Sequence, residues 1–375
     1  MFLIAPRVWI FHIFAQFYMA LTSSYTKRVF HFGFDARTSR GRMKDKTSWF
    51  VKVWNEESPD IFGIGECGPL PGLSIDDKPD YEEVLRTTAG RVGEIDLKSS
   101  NILGAISQII PPGFPSIRFG VETAVLDLIN GGNRTIFQNE FVNGAKVPIN
   151  GLVWMGDLDL MLQQVSIKIS EGYRTLKIKI GGLNFEKECD ILHYIRRKYF
   201  RDDIVIRLDA NGSFKIDEAL YKLNELAKFD IHSIEQPIKP ASPEMEELIR
   251  KSPIPVAFDE ELIGIENETQ MKSLLERTRP HYIIIKPSLH GGIMGTQEWI
   301  KIAESLGIGW WMTSALESSI GLNAICQLTS NHEIKIPQGL GTGKIYDDNI
   351  ASPLTVRDGM IYYDEKKQWD VNGLF

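Results

Sequence analysis

Cysteine is scarce in this chain. Only Cys67, Cys189 and Cys326 occur among 375 residues, an odd number with no C-x-x-C pair. That argues against a disulfide framework and a cysteine zinc site, and makes a reducing cytoplasm the expected compartment. Basic charge is not in excess either. The 42 Lys and Arg are outnumbered by 49 Asp and Glu, giving a net charge of −7 and no global field to draw in nucleic acid. Low-complexity tracts and flexible linkers are missing, and no Gly-rich dinucleotide turn follows the first strand of the repeating pattern below. With 43% hydrophobic and 24% charged residues, the chain reads as a globular protein of one large or two ordinary domains.

Long apolar runs are limited to the start. Met1–Leu21 (MFLIAPRVWIFHIFAQFYMAL) is apolar but carries Pro6, Arg7, His12 and Gln16. It falls short of the roughly 20 clean residues a membrane span needs. It also has a thin basic region and no clean small-x-small cleavage site for a signal peptide. We expect translation to begin at Met19, with an appended helix as the alternative, and no membrane association.

What is present is a rhythm. Beyond residue 145, eight short apolar or β-branched runs recur: Lys146–Val153, Thr175–Ile180, Ile204–Asp209, Ile231–Glu235, Pro255–Asp259, His281–Lys286, Gly309–Ser314 and Glu333–Gly339. Helical spacing fills the gaps, as in Asp217–Lys228, Glu268–Arg277 and Thr296–Leu306. Strand and helix alternating eight times predicts a closed parallel α/β barrel in preference to an open doubly wound sheet. Before it, Tyr25–Phe34 and Ser48–Trp54 read as antiparallel strands, Pro69–Ser74 as a loop, and Tyr81–Gly90 and Val121–Asn130 as helices. The predicted division is an extension (1–21), an α+β domain (22–135), the barrel (136–345) and a C-terminal segment (346–375). That last segment holds a hairpin turning at Asp358-Gly359 and packs on the first domain.

The strand ends carry the chemistry. Consecutive runs terminate in Lys179, Asp209, Glu235, Asp259 and Lys286, at intervals of 30, 26, 24 and 27 residues. In a parallel barrel those C-terminal tips form one ring, where active sites lie. The run TLKIKIGG alternates Leu176, Ile178 and Ile180 with Lys177 and Lys179. Strands of a closed barrel are buried on both sides, so the two lysines face the lumen and its carboxylates. Three converging carboxylates repel unless a cation neutralises them. An Asp, Glu, Asp set without histidine or cysteine suits Mg²⁺, for which Mn²⁺ could substitute. Lysine beside such a site can abstract a proton α to a carboxylate. Taken singly, each motif reads as something ordinary, a solvated strand face or a capped turn; only their order and spacing carry the signal.

With those motifs, the sequence resembles the enolase superfamily in its muconate-lactonizing branch, over nearly everything after residue 22. The resemblance implies a modified (β/α)₇β TIM barrel with an N-terminal α+β capping domain completed by the C-terminal tail. It implies Lys179 as acid/base in the Lys177-Ile-Lys179 motif, Asp209, Glu235 and Asp259 as metal ligands, and Lys286 on the opposite face. The segments Thr38–Met43, Gly65–Ser74 (GECGPLPGLS), Ser314–Leu322 and Gly339–Gly343 resemble the o-succinylbenzoate synthase group most. That group eliminates water, syn, from 2-succinyl-6-hydroxy-2,4-cyclohexadiene-1-carboxylate in menaquinone synthesis, with Lys286 staying cationic. N-succinylamino acid racemases and muconate cycloisomerases remain open. Gly339–Gly343 lacks the Asp-x-Asp of dipeptide epimerases. From another class, a non-catalytic barrel with a structural charge network remains.

The expected substrate contacts are Arg207, Asn211, Thr313, Ser314 and Gly339. Glu260 is expected to support the ligands from behind or to open the next helix. Phe32, Trp49, Phe50 and Phe62 read as capping-domain core, and His290 as a loop histidine. Oligomeric state is not legible.

Overall fold

The computed structural model describes residues 21–38, 41–201 and 203–375. All but the last residue of the apolar extension, and Ser39 and Arg40 of the Thr38–Met43 motif, lie outside the described residues.

Three long strands, β1 (Leu21–Thr38), β2 (Gly41–Asn55) and β3 (Ser58–Cys67), form an antiparallel meander. Helices α1 (Tyr81–Gly90), α2 (Ile102–Ser107) and α3 (Pro115–Ile129) follow. Leu85, Ile106, Ile117, Val121 and Val125 from these helices pack on Val51 and Val53 of the sheet. The sequence pattern misses β3 and α2 and starts α3 six residues late. Nearly all of α3 from Pro115 to Asp127 is buried, so no polar face sets up a helical period to read. Pro115 at the first turn marks the true start.

β3 lies almost in backbone contact with α3. A Cβ at Gly65 would sit 1.7 Å from the Gly120 carbonyl oxygen. Gly65→Ala is therefore expected to lower stability by about 1–3 kcal/mol through overpacking, read as a drop in the denaturant midpoint.

The second part runs β4 (Val147–Pro148), β5 (Gly151–Val153), α4 (Leu158–Ser170), β6 (Thr175–Lys179), α5 (Phe185–Lys198), β7 (Val205–Asp209), α6 (Ile216–Ala227), β8 (Ile231–Glu235), α7 (Met245–Lys251), β9 (Val256–Phe258), α8 (Glu268–Thr278), β10 (Tyr282–Ile285), α9 (Gly292–Ser305), β11 (Gly309–Met312) and α10 (Ser319–Thr329). Strands β5 to β11 make one seven-stranded parallel sheet in chain order. The eighth run is reduced to two bridging residues: Gln338 pairs with Ile149 and Gly339 with Thr313, closing the sheet on itself. The result is the (β/α)₇β form, not eight strand–helix repeats. Every residue of β6 is buried, with Leu176 and Ile178 in the main core and Lys177 and Lys179 inside the barrel.

The tail forms the hairpin β12 (Leu354–Arg357) and β13 (Met360–Tyr363), with Asp358 and Gly359 at φ of 52° and 69° in its turn. β13 pairs with β4. Capping contact comes from the flanking residues: Gly33 N–H donates to Ile345 O at 3.0 Å, Phe32 bridges Tyr346, and Leu374 joins the cluster of Phe30, Phe32 and Phe50. Trp49 and Phe62 are only half-buried. No helix among the described residues is long and apolar enough to cross a membrane.

Candidate active site

Parallel register brings the charged tips level. Lys179 pairs with Asp209 across β6 and β7, and Asp209 with Glu235 across β7 and β8. One step below, Lys177, Arg207 and Ser233 align. Asp259 and Lys286 immediately follow β9 and β10. Because alternate residues face the lumen, all of these side chains point into the barrel.

The ammonium of Lys177 sits 2.6 Å from Glu235 Oε2 and 3.0 Å from Asp209 Oδ2. Lys179 Nζ is 3.0 Å from Asp209 Oδ2 and donates to Asn211 Oδ1 at 2.9 Å. Lys286 is ion-paired with Asp259. Asn211 Nδ2 donates to Glu260 Oε1 at 2.9 Å, so both residues back the Lys179 side. Three lysines and four carboxylates thus gather in one buried ring.

Burial opposes charge on Lys177, but Asp209, Glu235 and Asp259 together raise its pKa. Lys286 is raised in the same way, chiefly by Asp259 against the cost of burial. Burial works to raise Asp209 too, yet the two lysines hold it low. Glu235 goes the other way: burial and the neighbouring Asp209 push it up despite Lys177. His290 is fully buried and lowered to about 3 by desolvation, and its Nδ1 accepts from the Lys286 N–H at 3.0 Å. It is a neutral brace for the Lys286 backbone.

Lys177, Lys179, Asp209, Asp259 and Lys286 open into a cavity of about 400 Å³. Of the expected substrate contacts, Asn211, Thr313, Ser314 and Gly339 line it. Thr313 Oγ1 donates to the Gly339 carbonyl at 2.8 Å, and the Ser314 and Thr342 hydroxyls bond each other at 2.6 Å. Arg207 does not line the cavity. It lies one layer down, donating to Pro337 O at 2.7 Å with its guanidinium 4.2 Å from the Trp311 ring. The two-residue offset from Asp209 that suggested substrate contact instead places it below the mouth.

The remaining walls come from residues that strand-tip reasoning left out. Trp154 follows β5, Thr342 lies in the Gly339–Gly343 segment, and Met43, Lys44 and Leu70 come from the capping domain. Trp154 was findable, since it immediately follows the first barrel run, Lys146–Val153, at the end of the barrel where the other strand tips gather.

The donor set Asp209, Glu235 and Asp259 is all oxygen, and Asp259 Oδ1 is buried without a hydrogen-bond partner. Both features fit a hard divalent cation. Among the described residues, however, no three such side chains stand in ready coordinating geometry. Lysine ammoniums lie between the carboxylates and supply the compensating charge, so a cation would enter by displacing them.

Residues 161–367 match the enolase C-terminal domain-like family. The chain is 40% identical over 363 residues to an o-succinylbenzoate synthase of Desulfotalea psychrophila, covering 90% of this chain and 98% of that one. The crystal structure of MenC from the same organism superposes with a TM-score of 0.78 at 38% identity, covering 92% of this chain and 99% of the other. A muconate lactonizing enzyme from Pseudomonas fluorescens, at 21% identity, shares the fold with a TM-score of 0.77 over 95% of this chain and 96% of that one.

Proposed function

The chain belongs to the enolase C-terminal domain-like family, and from that premise we propose that it is a carbon–oxygen lyase of the o-succinylbenzoate synthase type. It removes water from 2-succinyl-6-hydroxy-2,4-cyclohexadiene-1-carboxylate to give the aromatic 2-succinylbenzoate, a step toward menaquinone. The observation that carries this is the bracketing of three carboxylates by Lys179 and Lys286 on opposite sides of one cavity. The 40% identity along nearly the whole length of a relative with that name supports it.

Roles follow from the contacts. Lys177 is held between two carboxylates and keeps its proton. Lys179 touches one carboxylate and one amide oxygen, so it is the freer base. It takes the proton α to the ring carboxylate and returns it to the departing hydroxyl on the same face. Lys286, held cationic by Asp259 and propped by His290, faces the developing negative charge from the other side.

Members of the family are typically Mg²⁺-dependent, and Asp209, Glu235 and Asp259 are the residues that would hold the ion here. When bound, it would acidify the α-proton by neutralising the substrate carboxylate. Trp154, Met43 and Leu70 would shed water around the ring, and Ser314 with Thr342 would meet the succinyl arm.

The direct test is ultraviolet detection of the aromatic product after mixing the protein, Mg²⁺ and the cyclohexadiene substrate. No product under those conditions would refute the assignment. Independently of turnover, saturating Mg²⁺ is expected to raise thermal stability, by about 2.7 kcal/mol at a hundred times its Kd. Glu235→Gln should weaken that shift. A melting temperature indifferent to Mg²⁺ favours the structural charge network instead.

A further inference from the structure

Behind the cavity lies a second cluster of buried charge that the reaction does not use. Lys46 and Ser48 on β2, Glu66 on β3, Ser288 behind Lys286, and Glu317 and Ser318 before α10 are each at most 1% exposed. The Glu66 carboxylate accepts from Ser48 Oγ at 2.7 Å, Ser318 Oγ at 2.6 Å, and the N–H groups of Ser318 and Gly321 at 2.9 and 3.0 Å. A capping-domain anion therefore caps the N-terminus of a barrel helix, where the helix dipole favours it. Glu317 accepts from the Ala315 N–H at 2.6 Å and from the Ser288 hydroxyl. Lys46 Nζ lies 3.4 Å from Ser48 Oγ, and its positive charge favours the ionised form of Glu317.

The sequence positions give this cluster its meaning. Ser288 is two residues beyond Lys286, and Ala315 is next to Ser314; Lys286 and Ser314 both line the cavity. Glu317 thus ties together the loops after β10 and β11. Glu66 ties the same helix start to the domain whose Met43 and Leu70 form the facing wall. Apolar packing would hold two domains together as well, and buried charge is costly unless fully bonded. What directional bonds add is a fixed orientation.

We propose that Lys46, Glu66 and Glu317 form a buried latch that sets the Lys286 loop against the capping sheet. Glu317 is a positioning residue for Lys286, acting through Ser288, and Glu66 positions the capping wall of the cavity. The kinetic part of this rests on the dehydration proposed above.

The test compares Ser288→Ala, Ser288→Thr, Glu317→Gln, the Ser288→Ala/Glu317→Gln double variant and Glu66→Gln in the full chain. Steady-state dehydration kinetics and hydrogen exchange at the amides of 286, 288–290 and 315 are both measured. Small displacements of a reacting group are costly, so Ser288→Ala and Glu317→Gln should each lower kcat by about tenfold or more while KM moves less than about threefold. The double variant should be no worse than Glu317→Gln, because the two act as one unit. Ser288→Thr, which keeps the hydroxyl, should restore kcat, and Glu66→Gln should mainly raise KM. Wild-type kcat in Ser288→Ala, or losses that multiply in the double variant, would overturn the latch. If Glu317→Gln does not fold, the Ser288 pair decides. An inactive wild type would overturn the reaction alone; the latch then stands or falls on whether Ser288→Ala speeds exchange at those amides.

Discussion

Lys179→Ala is expected to lower kcat by about 10²–10⁴-fold, the usual contribution of a positioned general base, while leaving the circular dichroism spectrum unchanged. The side chain reaches the cavity from the end of β6, where it meets Asp209 and Asn211. Loss of one ammonium still leaves Asp209 paired with Lys177 at 3.0 Å, so the ring does not collapse. Lys286→Ala should also abolish measurable turnover, by withdrawing the cation opposite. Near-wild-type rates in Lys179→Ala would end the proposed mechanism. The same pair separates dehydration from racemisation: a racemase exchanges the α-proton of both enantiomers of an N-succinylamino acid in D₂O, one through each lysine. Absence of exchange rules that activity out.

The largest expected loss of stability lies away from the cavity. Arg134→Ala should destabilise the fold by about 3–5 kcal/mol, as removal of one partner of a buried ion pair does. Arg134 Nε is 2.7 Å from Asp127 Oδ2, with both side chains at most 5% exposed. Its Nη2 donates to Phe62 O at 2.7 Å, and its carbonyl accepts from Asn323 and Gln327 at 2.8 Å each. The arginine therefore joins α3, β3 and α10. Without it, Asp127 stays buried with no cation, facing only backbone N–H groups such as that of Ile64 at 2.9 Å. Burial already raises Asp127 to about 6 in spite of Arg134. A carboxyl whose folded pKa lies above its unfolded value favours the fold at low pH, and that contribution is lost as pH rises toward 6. The deficit of Arg134→Ala should accordingly be smaller near pH 4 than at pH 8. Urea midpoints at the two pH values check this, and an equal deficit at both would contradict it.

The ring of lysines and carboxylates was legible because a closed barrel imposes a period of two and gathers distant strand tips in one place. Five residues separated by 24 to 30 positions needed only that geometry to meet. Depth along the lumen was harder to read. Arg207 shares the face of Asp209, and only the register with Lys177 and Ser233 puts it beneath the mouth. Lys46, Ser48 and Glu66 were not legible at all. Polar residues at alternate positions of an edge sheet look like a solvated face, and they are buried only because another part of the chain docks there. The same is true of α3, whose polar residues Glu122 and Asp127 are inside. Local pattern reports local exposure; docking between distant segments rewrites it.

C-terminal segments complete structures begun much earlier in the chain. β4 waits for β13 as its antiparallel partner, and the face of Phe30, Phe32 and Phe50 waits for Tyr346 and Leu374. Domains commonly fold in order of synthesis, but here the capping strands emerge hundreds of residues before their cover. The nascent chain must carry an unfinished aromatic surface until Tyr346 and Leu374 have emerged, and premature termination anywhere upstream of residue 346 would leave it without that cover.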